Sequence, residues 1–262
     1  MIDIHHHCLP GVDDGPDSIE EAAEMCSIAA SEGIETIVAT PHVLRGRWPA
    51  FTLQELAAKL RALQVRTGNT PKLLLGSEYF FAHDMCDVLQ AGESIAPLAG
   101  SRYVLLELPA NGVPPMIEQP LYRAQLEGWT PILAHPERNL MLQARPELLR
   151  SLVEHGLKTQ LTAGSLVGEF GKKAQAAAET FLEAGLIHFL ATDAHNTTKR
   201  PPRVSAAIRR LRELVGDEIA DQLTRHNPAA VVAGAGLPWD PEPGEEVNHG
   251  LFTRVRRFFG AT

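Results

Sequence analysis

In this chain of 262 residues, apolar runs repeatedly end in a histidine, an aspartate or a glutamate. MIDI leads into His5, His6 and His7, and IVATP into His42. LLLGS leads into Glu78, YVLL into Glu107 and ILA into His135. HFLAT leads into Asp193, with His195 two residues on. Asp14 lies in the turn after the first run. Brought together, the four carboxylates Asp14, Glu78, Glu107 and Asp193 would repel and raise one another's pKa values. Divalent cations remove that penalty. Nine donors exceed the needs of one tetrahedral ion and suit two or three cations with shared carboxylates. All nine are imidazole or carboxylate and none is a thiolate, which favours Mn²⁺, Fe²⁺ or Zn²⁺. Side chains alternate along a strand, so His5 and His7 share a face and His6 faces away. Asp3 is on the first face and is a candidate partner for an imidazole N–H. Asp13 and Asp14 occupy one turn, and either can serve as the ligand there. A single histidine or glutamate at a strand end is more often a hydrogen-bonded structural residue; the joint pattern at six run ends carries the metal reading. His83, His155, His188, His226 and His249 stand outside it and are expected to have no role.

Six run ends can meet only if the runs lie side by side, all pointing the same way. The sequence supplies the elements. Strands are expected at Ile2 to His5, Thr36 to Thr40, Lys72 to Gly76, Tyr103 to Glu107, Thr130 to Ala134, Leu157 to Thr162 and Ile187 to Ala191. Helices are expected at Ser18 to Ser31, Thr52 to Arg66, Met116 to Glu127, Pro146 to His155, Lys172 to Ala184, Ser205 to Val215 and Asp217 to Arg225. Strand–helix alternation of this kind gives an α/β fold with a parallel sheet and outer helices. With about seven such units, a closed or nearly closed TIM-like barrel is expected, its ligands on the C-terminal rim. An open doubly wound sheet is the competitor. It would offer a glycine-rich first turn, whereas HHHCLPGVDDG is rich in metal donors. Residues 238–262 read as a Pro/Gly/Glu-rich linker and a short basic amphipathic tail, leaving 1–237 as the barrel domain. In the tail, Leu251, Val255, Phe258 and Phe259 line one side of a helix beside Arg254, Arg256 and Arg257.

Composition narrows the function further. The net charge of −8 disfavours nucleic-acid binding. Cys8, Cys26 and Cys86 have no C-x-x-C spacing and fit a reducing compartment. The chain has no transmembrane segment and no secretory leader, so a cytoplasmic location is expected. A cysteine-dependent phosphatase needs an arginine six residues after its nucleophile; here those positions hold Asp14, Glu32 and Gly92.

The motifs resemble the polymerase and histidinol phosphatase (PHP) superfamily. They are closest to its branch of bacterial manganese-dependent protein-tyrosine phosphatases from capsule and exopolysaccharide loci. They are D-I-H-H-H (Asp3 to His7), D-D-G-P (Asp13 to Pro16), T-P-H (Thr40 to His42) and G-S-E (Gly76 to Glu78). L-E-L (Leu106 to Leu108), A-H-P-E-R (Ala134 to Arg138), T-D-A-H (Thr192 to His195) and R-P-P (Arg200 to Pro202) follow. The match spans roughly residues 1 to 235 and departs at His6, where the branch usually has a small residue. The resemblance implies a distorted seven-stranded barrel with three metals. One would sit on His5, His7, Glu78 and Asp193, a second on Glu78, Glu107 and His135, and a third on Asp14, His42 and His195. It implies Arg138 and Arg200 on the phosphoryl oxygens, and Arg138, Asp193 and His195 in the catalytic machinery. It also implies a phosphotyrosine protein as substrate, usually a membrane-associated bacterial tyrosine kinase.

Physics then gives an expected mechanism: in-line attack by a metal-generated hydroxide, with no covalent phosphoenzyme. Arginine suits the phosphoryl oxygens because its planar fork binds two of them at once. Two alternatives use similar metals. A small-molecule phosphomonoesterase such as a histidinol phosphatase would want a more enclosed pocket than the loops Pro41 to Phe51 and Asn111 to Met116 suggest. A metal-dependent nuclease would want basic patches. An amidohydrolase also uses H-x-H, but often bridges its metals through a lysine; the corresponding positions here hold Glu78 and Glu107. The sequence leaves the oligomeric state open.

Overall fold

A computed structural model describes residues 1–43, 46, 48–92 and 95–244. The expected basic tail lies outside the described residues. The chain runs β1 (Ile2–His6), α1 (Ile19–Ser31), β2 (Thr36–Ala39), β3 (His42–Val43), α2 (Leu53–Arg66), β4 (Lys72–Leu75), β5 (Glu78–Phe80) and α3 (Met85–Ala91). There follow β6 (Tyr103–Glu107), α4 (Glu118–Leu126), β7 (Thr130–Ala134), a 3₁₀ turn (Pro136–Arg138), α5 (Leu140–Ala144), α6 (Pro146–Glu154), β8 (Lys158–Thr162) and α7 (Ala163–Leu166). The last elements are α8 (Lys172–Glu183), β9 (Phe189–Ala191), α9 (Ser205–Asp221) and α10 (Asn227–Ala233).

Every pairing among these strands is parallel. One sheet runs β1-β2-β4 and the other β3-β5-β6-β7-β8-β9. Two interruptions separate them. Pro41, two residues past the end of β2, has no N–H to donate. Gly76 follows β4 at a point where a Cβ would lie 2.8 Å from Leu98 Cδ2 and 2.9 Å from Val38 Cγ1, so any larger residue would force these buried side chains to move. Backbone hydrogen bonds bridge the breaks, from Gly76 N to Ala39 O and from Glu78 N to Pro41 O. At the far edge, His6 bridges to Ala194 and Asp193 N donates to His5 O, bringing the end of β9 against β1.

Two apolar clusters flank the strands. The larger, with Ile37, Leu106, Leu133, Leu161 and Phe181, lies on the helix side. The smaller holds Ile4, Val38, Tyr103, Leu105, Ile132, Phe189 and Val231. Side chains alternate, so on β6 Tyr103 and Leu105 fill the smaller cluster and Glu107 points along the same face toward the strand ends.

The helices begin and end largely where their sequence says. Ser18 caps α1 by accepting from Glu21 N, and Thr52 forms a capping box with Glu55 at the start of α2. Thr52→Ala removes the half of that box in which Thr52 Oγ1 accepts from Glu55 N, leaves the Thr52 N–H on the Glu55 carboxylate, and is expected to cost about 1 kcal/mol of stability without touching activity, read by denaturant unfolding. The two helices expected between Ser205 and Arg225 are present within α9, separated at Gly216, whose φ 82° and ψ 168° are not helical. The sequence patterns missed the short elements β3, β5, α3, α5, α7 and α10. The segment expected to be a loose linker is pinned as far as Gly244: Asp240 pairs with Lys158 and with the buried His188, and Gly244 N donates to Ala184 O.

Candidate metal centre

All nine predicted donors gather on one rim, at or just beyond the ends of β1, β2, β4, β6, β7 and β9, and fall into overlapping groups. The groups are His7–Asp14–His42–His195, His5–Glu78–His135, His5–His7–Asp193 and His42–Glu78–Glu107; the ligand atoms within each lie within 4.8 Å of one another. Glu78 opens β5 and is at the middle. Its Oε2 is 2.9 Å from His42 Nδ1, 3.4 Å from His7 Nε2 and 3.5 Å from His5 Nε2, and its Oε1 is 3.0 Å from His135 Nε2. Asp193 Oδ1 is 3.2 Å from His5 Nε2 and 3.4 Å from His7 Nε2. Asp14 Oδ1 lies 3.4 Å from His195 Nε2 and 3.5 Å from His42 Nε2.

His5 Nε2 and His7 Nε2 face each other at 3.2 Å. Two nitrogens aimed at one point in a fully buried place suit a shared cation better than each other. The other ring nitrogens are occupied: His5 Nδ1 lies 2.7 Å from Gln160 Oε1, and His7 Nδ1 lies 2.6 Å from Asp13 Oδ2. These partners fix the tautomers so that Nε2 presents its lone pair inward. The turn therefore divides its labour. Asp14 joins the donors, while Asp13 holds His7 and accepts from His42 N and Gly15 N.

Asp3 does not hold an imidazole, as its place on the strand had suggested. Its carboxylate accepts from Thr192 N, Thr192 Oγ1 and, at 3.3 Å, His5 N. The register shift between Asp3 and His6 aims it at the backbone preceding Asp193. Gln160 takes the role instead; a polar residue inside a buried strand was its sequence signal. His6 faces away, fully buried, and burial lowers its pKa to about 3.

Two of the donors sit on strained backbone. His135 has φ 36° and Asp193 φ 52°, left-handed values that cost a β-carbon-bearing residue of order 1–3 kcal/mol. Burial, and then the charge of Arg138, lower the His135 pKa to about 3; burial and then His7 bring His195 to about 4. Both imidazoles are neutral near pH 7, with lone pairs available. Burial opposes charge on Asp193, but Arg138, His5 and Arg200 hold its carboxyl well below the usual carboxylate range. Asp193 is thus an anion at any working pH.

Arg138, at the end of the 3₁₀ turn, places an NH2 2.7 Å from Asp193 Oδ2, and Arg200 donates to the same oxygen. One ring positions both: the Arg138 guanidinium lies 4.6 Å from the centroid of Phe170 and that of Arg200 lies 5.7 Å away. No sequence pattern marked Phe170. The turn carrying Arg138 is fixed by Glu137, whose buried carboxylate accepts from Ser165 Oγ at 2.6 Å and from Thr162 N. Trp48 stacks on His42, centroids 4.9 Å apart and planes within 6°. A cavity of about 270 Å³ opens over the donors. Asp14, His42, Glu78, Glu107, His135, Asp193 and His195 form part of its wall, with Arg138 and Arg200, and its apolar lining includes Leu108, Ala110 and Leu142.

Parallel strands ending in this donor set define a hydrolase-like metal centre on an α/β scaffold. The chain belongs to the capsular polysaccharide synthesis CpsB/CapC family, whose model matches residues 1–233. It is similar to the tyrosine-protein phosphatase YwqE of Bacillus subtilis, with 38% identity over 229 residues, 86% of this chain and 89% of the relative. Similarity to the tyrosine-protein phosphatase CpsB of Streptococcus pneumoniae is 30% over 239 residues, 88% of this chain and 98% of the relative. Among solved structures, one of those of YwqE from Bacillus subtilis and CpsB from Streptococcus pneumoniae, metal-dependent tyrosine phosphatases, superposes with TM-score 0.87 at 35% identity. It covers 94% of this chain and 100% of its own. A lactonase from Listeria monocytogenes shares the fold alone, with TM-score 0.56 at 12% identity over 88% of this chain and 94% of its own.

Proposed function

We propose that this chain is a metal-dependent protein-tyrosine phosphatase, and that its site holds three divalent cations, Mn²⁺ first among them. The observation that carries this reading is the meeting of nine imidazole and carboxylate donors with two arginines at one rim. The donor set fits cations. Buried, mutually opposed imidazole nitrogens and four carboxylates are a costly arrangement that positive ions relieve. His5, His7, Glu78 and Asp193 would hold one cation, Glu78, Glu107 and His135 a second, and Asp14, His42 and His195 a third. The geometric groups overlap at His5, His7, His42 and Glu78, which supports ligands shared between ions. Bound cations supply charge neutralisation at the phosphoryl group and a water of lowered pKa.

The remaining chemistry is the chain's own. Arg138 and Arg200, held on one aromatic ring beside the donors, would grip the phosphoryl oxygens. Neutral His135 and His195 keep their lone pairs for cations rather than acting as acids. Leu108, Ala110 and Leu142 offer an apolar wall for the tyrosyl ring. A phenolate leaving group, with a pKa near ~10, needs less proton assistance than an alkoxide.

The same reading takes the nine strand segments as seven barrel strands. β2 and β3 form one strand broken at Pro41, β4 and β5 form another broken at Gly76, and β9 returns to β1. It takes residues 1–237 as the phosphatase domain. It places the enzyme in the cytoplasm, acting on a membrane-associated tyrosine kinase; among the described residues no helix is long and apolar enough to cross a membrane.

Metal removal tests the reading. Exhaustive chelation is expected to abolish hydrolysis of a phosphotyrosine peptide, and Mn²⁺ to restore it. A thiol alkylator is expected to leave it intact, since Cys8, Cys26 and Cys86 are buried and lie outside the donor set. Full turnover after chelation would overturn the proposal.

A further inference from the structure

A second cavity, of about 370 Å³, adjoins the first and shares Arg138 with it. Its other walls are Leu140, Gln143, Phe170 and the opening turn of α8, with Lys172 and Lys173. Phe170 stands at the junction: its ring carries the two site arginines and also lines this second space.

The two lysines are out of place on helical grounds. They occupy the first two positions of α8, where the helix dipole disfavours cations. That turn contains no acidic residue and its cap, Gly171, makes no side-chain hydrogen bond. Both lysines are exposed, and no carboxylate among the described residues pairs with either. The chain as a whole carries a net charge of −8, so a space lined by Lys172, Lys173 and the phosphate arginine Arg138 runs against its general balance. Glu169, three residues before Lys172 in the chain, turns its carboxylate back toward Gly164.

We infer that this second cavity is a specificity subsite for an acidic side chain flanking the phosphotyrosine of the substrate. The inference rests on the phosphatase reading above. With the phosphoryl group on Arg138 and Arg200, the peptide would leave the first cavity across Phe170. A neighbouring glutamate or aspartate would then meet Lys172 and Lys173. Contacts of this kind are solvent-exposed, so each is modest and screened by salt.

The test compares kcat/KM for two phosphotyrosine peptides, one flanked by glutamates and one by alanines, with p-nitrophenyl phosphate as a reference lacking flanks. The wild-type enzyme is expected to prefer the glutamate peptide by roughly five- to tenfold at low ionic strength, mostly through KM, and to lose much of that preference as salt rises. A Lys172→Ala/Lys173→Ala double variant is expected to bring the ratio to about one while hydrolysing p-nitrophenyl phosphate normally. A Lys172→Glu/Lys173→Glu variant should invert it. Equal wild-type rates on the two peptides, or a preference surviving in the alanine variant, would overturn the subsite and leave the phosphatase reading standing. Turnover of p-nitrophenyl phosphate with neither peptide cleaved would overturn that reading, and the subsite with it.

Discussion

Glu78→Gln is expected to strip the site of most of its metal and to lower kcat/KM by at least a hundredfold. Glu78 is 1% exposed, and four imidazoles, from His5, His7, His42 and His135, converge on its two oxygens. Asp193, by comparison, faces three imidazoles, from His5, His7 and His195, and its other oxygen is taken by Arg138 and Arg200. The amide keeps the size of the side chain but removes its charge and turns one acceptor into a donor facing histidine nitrogens. Loss of one partner from a buried charged cluster costs roughly 3–5 kcal/mol, a factor of a hundred or more in whichever equilibrium depends on it. Here that equilibrium is cation binding. Elemental analysis of the purified variant should therefore show fewer bound ions per chain, and added Mn²⁺ should restore activity only in part. A variant with full metal content and normal turnover would remove Glu78 from the centre of the site.

Much of this centre was legible in the sequence for one physical reason. Parallel strands present their C-terminal ends on one face, so a residue type repeated at strand ends becomes a cluster in space. His5, His7, His42, Glu78, Glu107, His135, Asp193 and His195 all follow that rule, and the structure brings them together with Asp14. The residues that support them follow no such rule. Gln160 holds His5 from the middle of β8, and Phe170 reaches both arginines from the loop between α7 and α8. Their roles depend on which side chains are neighbours across the fold, which a linear pattern does not encode. The choice between Asp13 and Asp14 is similar. Both sit in one turn, and their neighbours in space separate support from ligand: Asp13 Oδ2 lies on His7 Nδ1, while Asp14 Oδ1 faces His42 and His195. The strand count shows the same limit. TIVAT and LLLGS each read as one run continuing into the site, whereas Pro41 and Gly76 break the backbone ladder and leave the donors His42 and Glu78 on short segments of their own. Asp240 makes the point at the other end of the molecule. Proline, glycine and glutamate composition suggested a free linker, but one aspartate seated between Lys158 and His188 pins that segment to the strands.

Arg138→Ala separates binding of phosphate from binding of metal. The guanidinium lies against Asp193 Oδ2, 20% exposed, on the ring of Phe170 and at the wall of the cavity over the donors. It has no lone pair to offer a cation, so its removal should leave the metal content unchanged. Asp193 keeps Arg200 as a partner, which limits the disturbance to its carboxylate. What is lost is a planar, charge-assisted grip on the phosphoryl oxygens as their charge shifts in the transition state. Removal of one such preorganised donor costs about 3–4 kcal/mol, a drop of about 10²–10³ in kcat/KM. Arg138→Lys should recover only a small part, because an ammonium is a point charge without the fork that binds two oxygens at once. Inorganic phosphate should inhibit the alanine variant more weakly than the wild type, by a comparable factor. Near-normal kcat/KM in the alanine variant, or parallel loss of metal and rate, would mean that Arg138 supports the donors and does not bind the substrate.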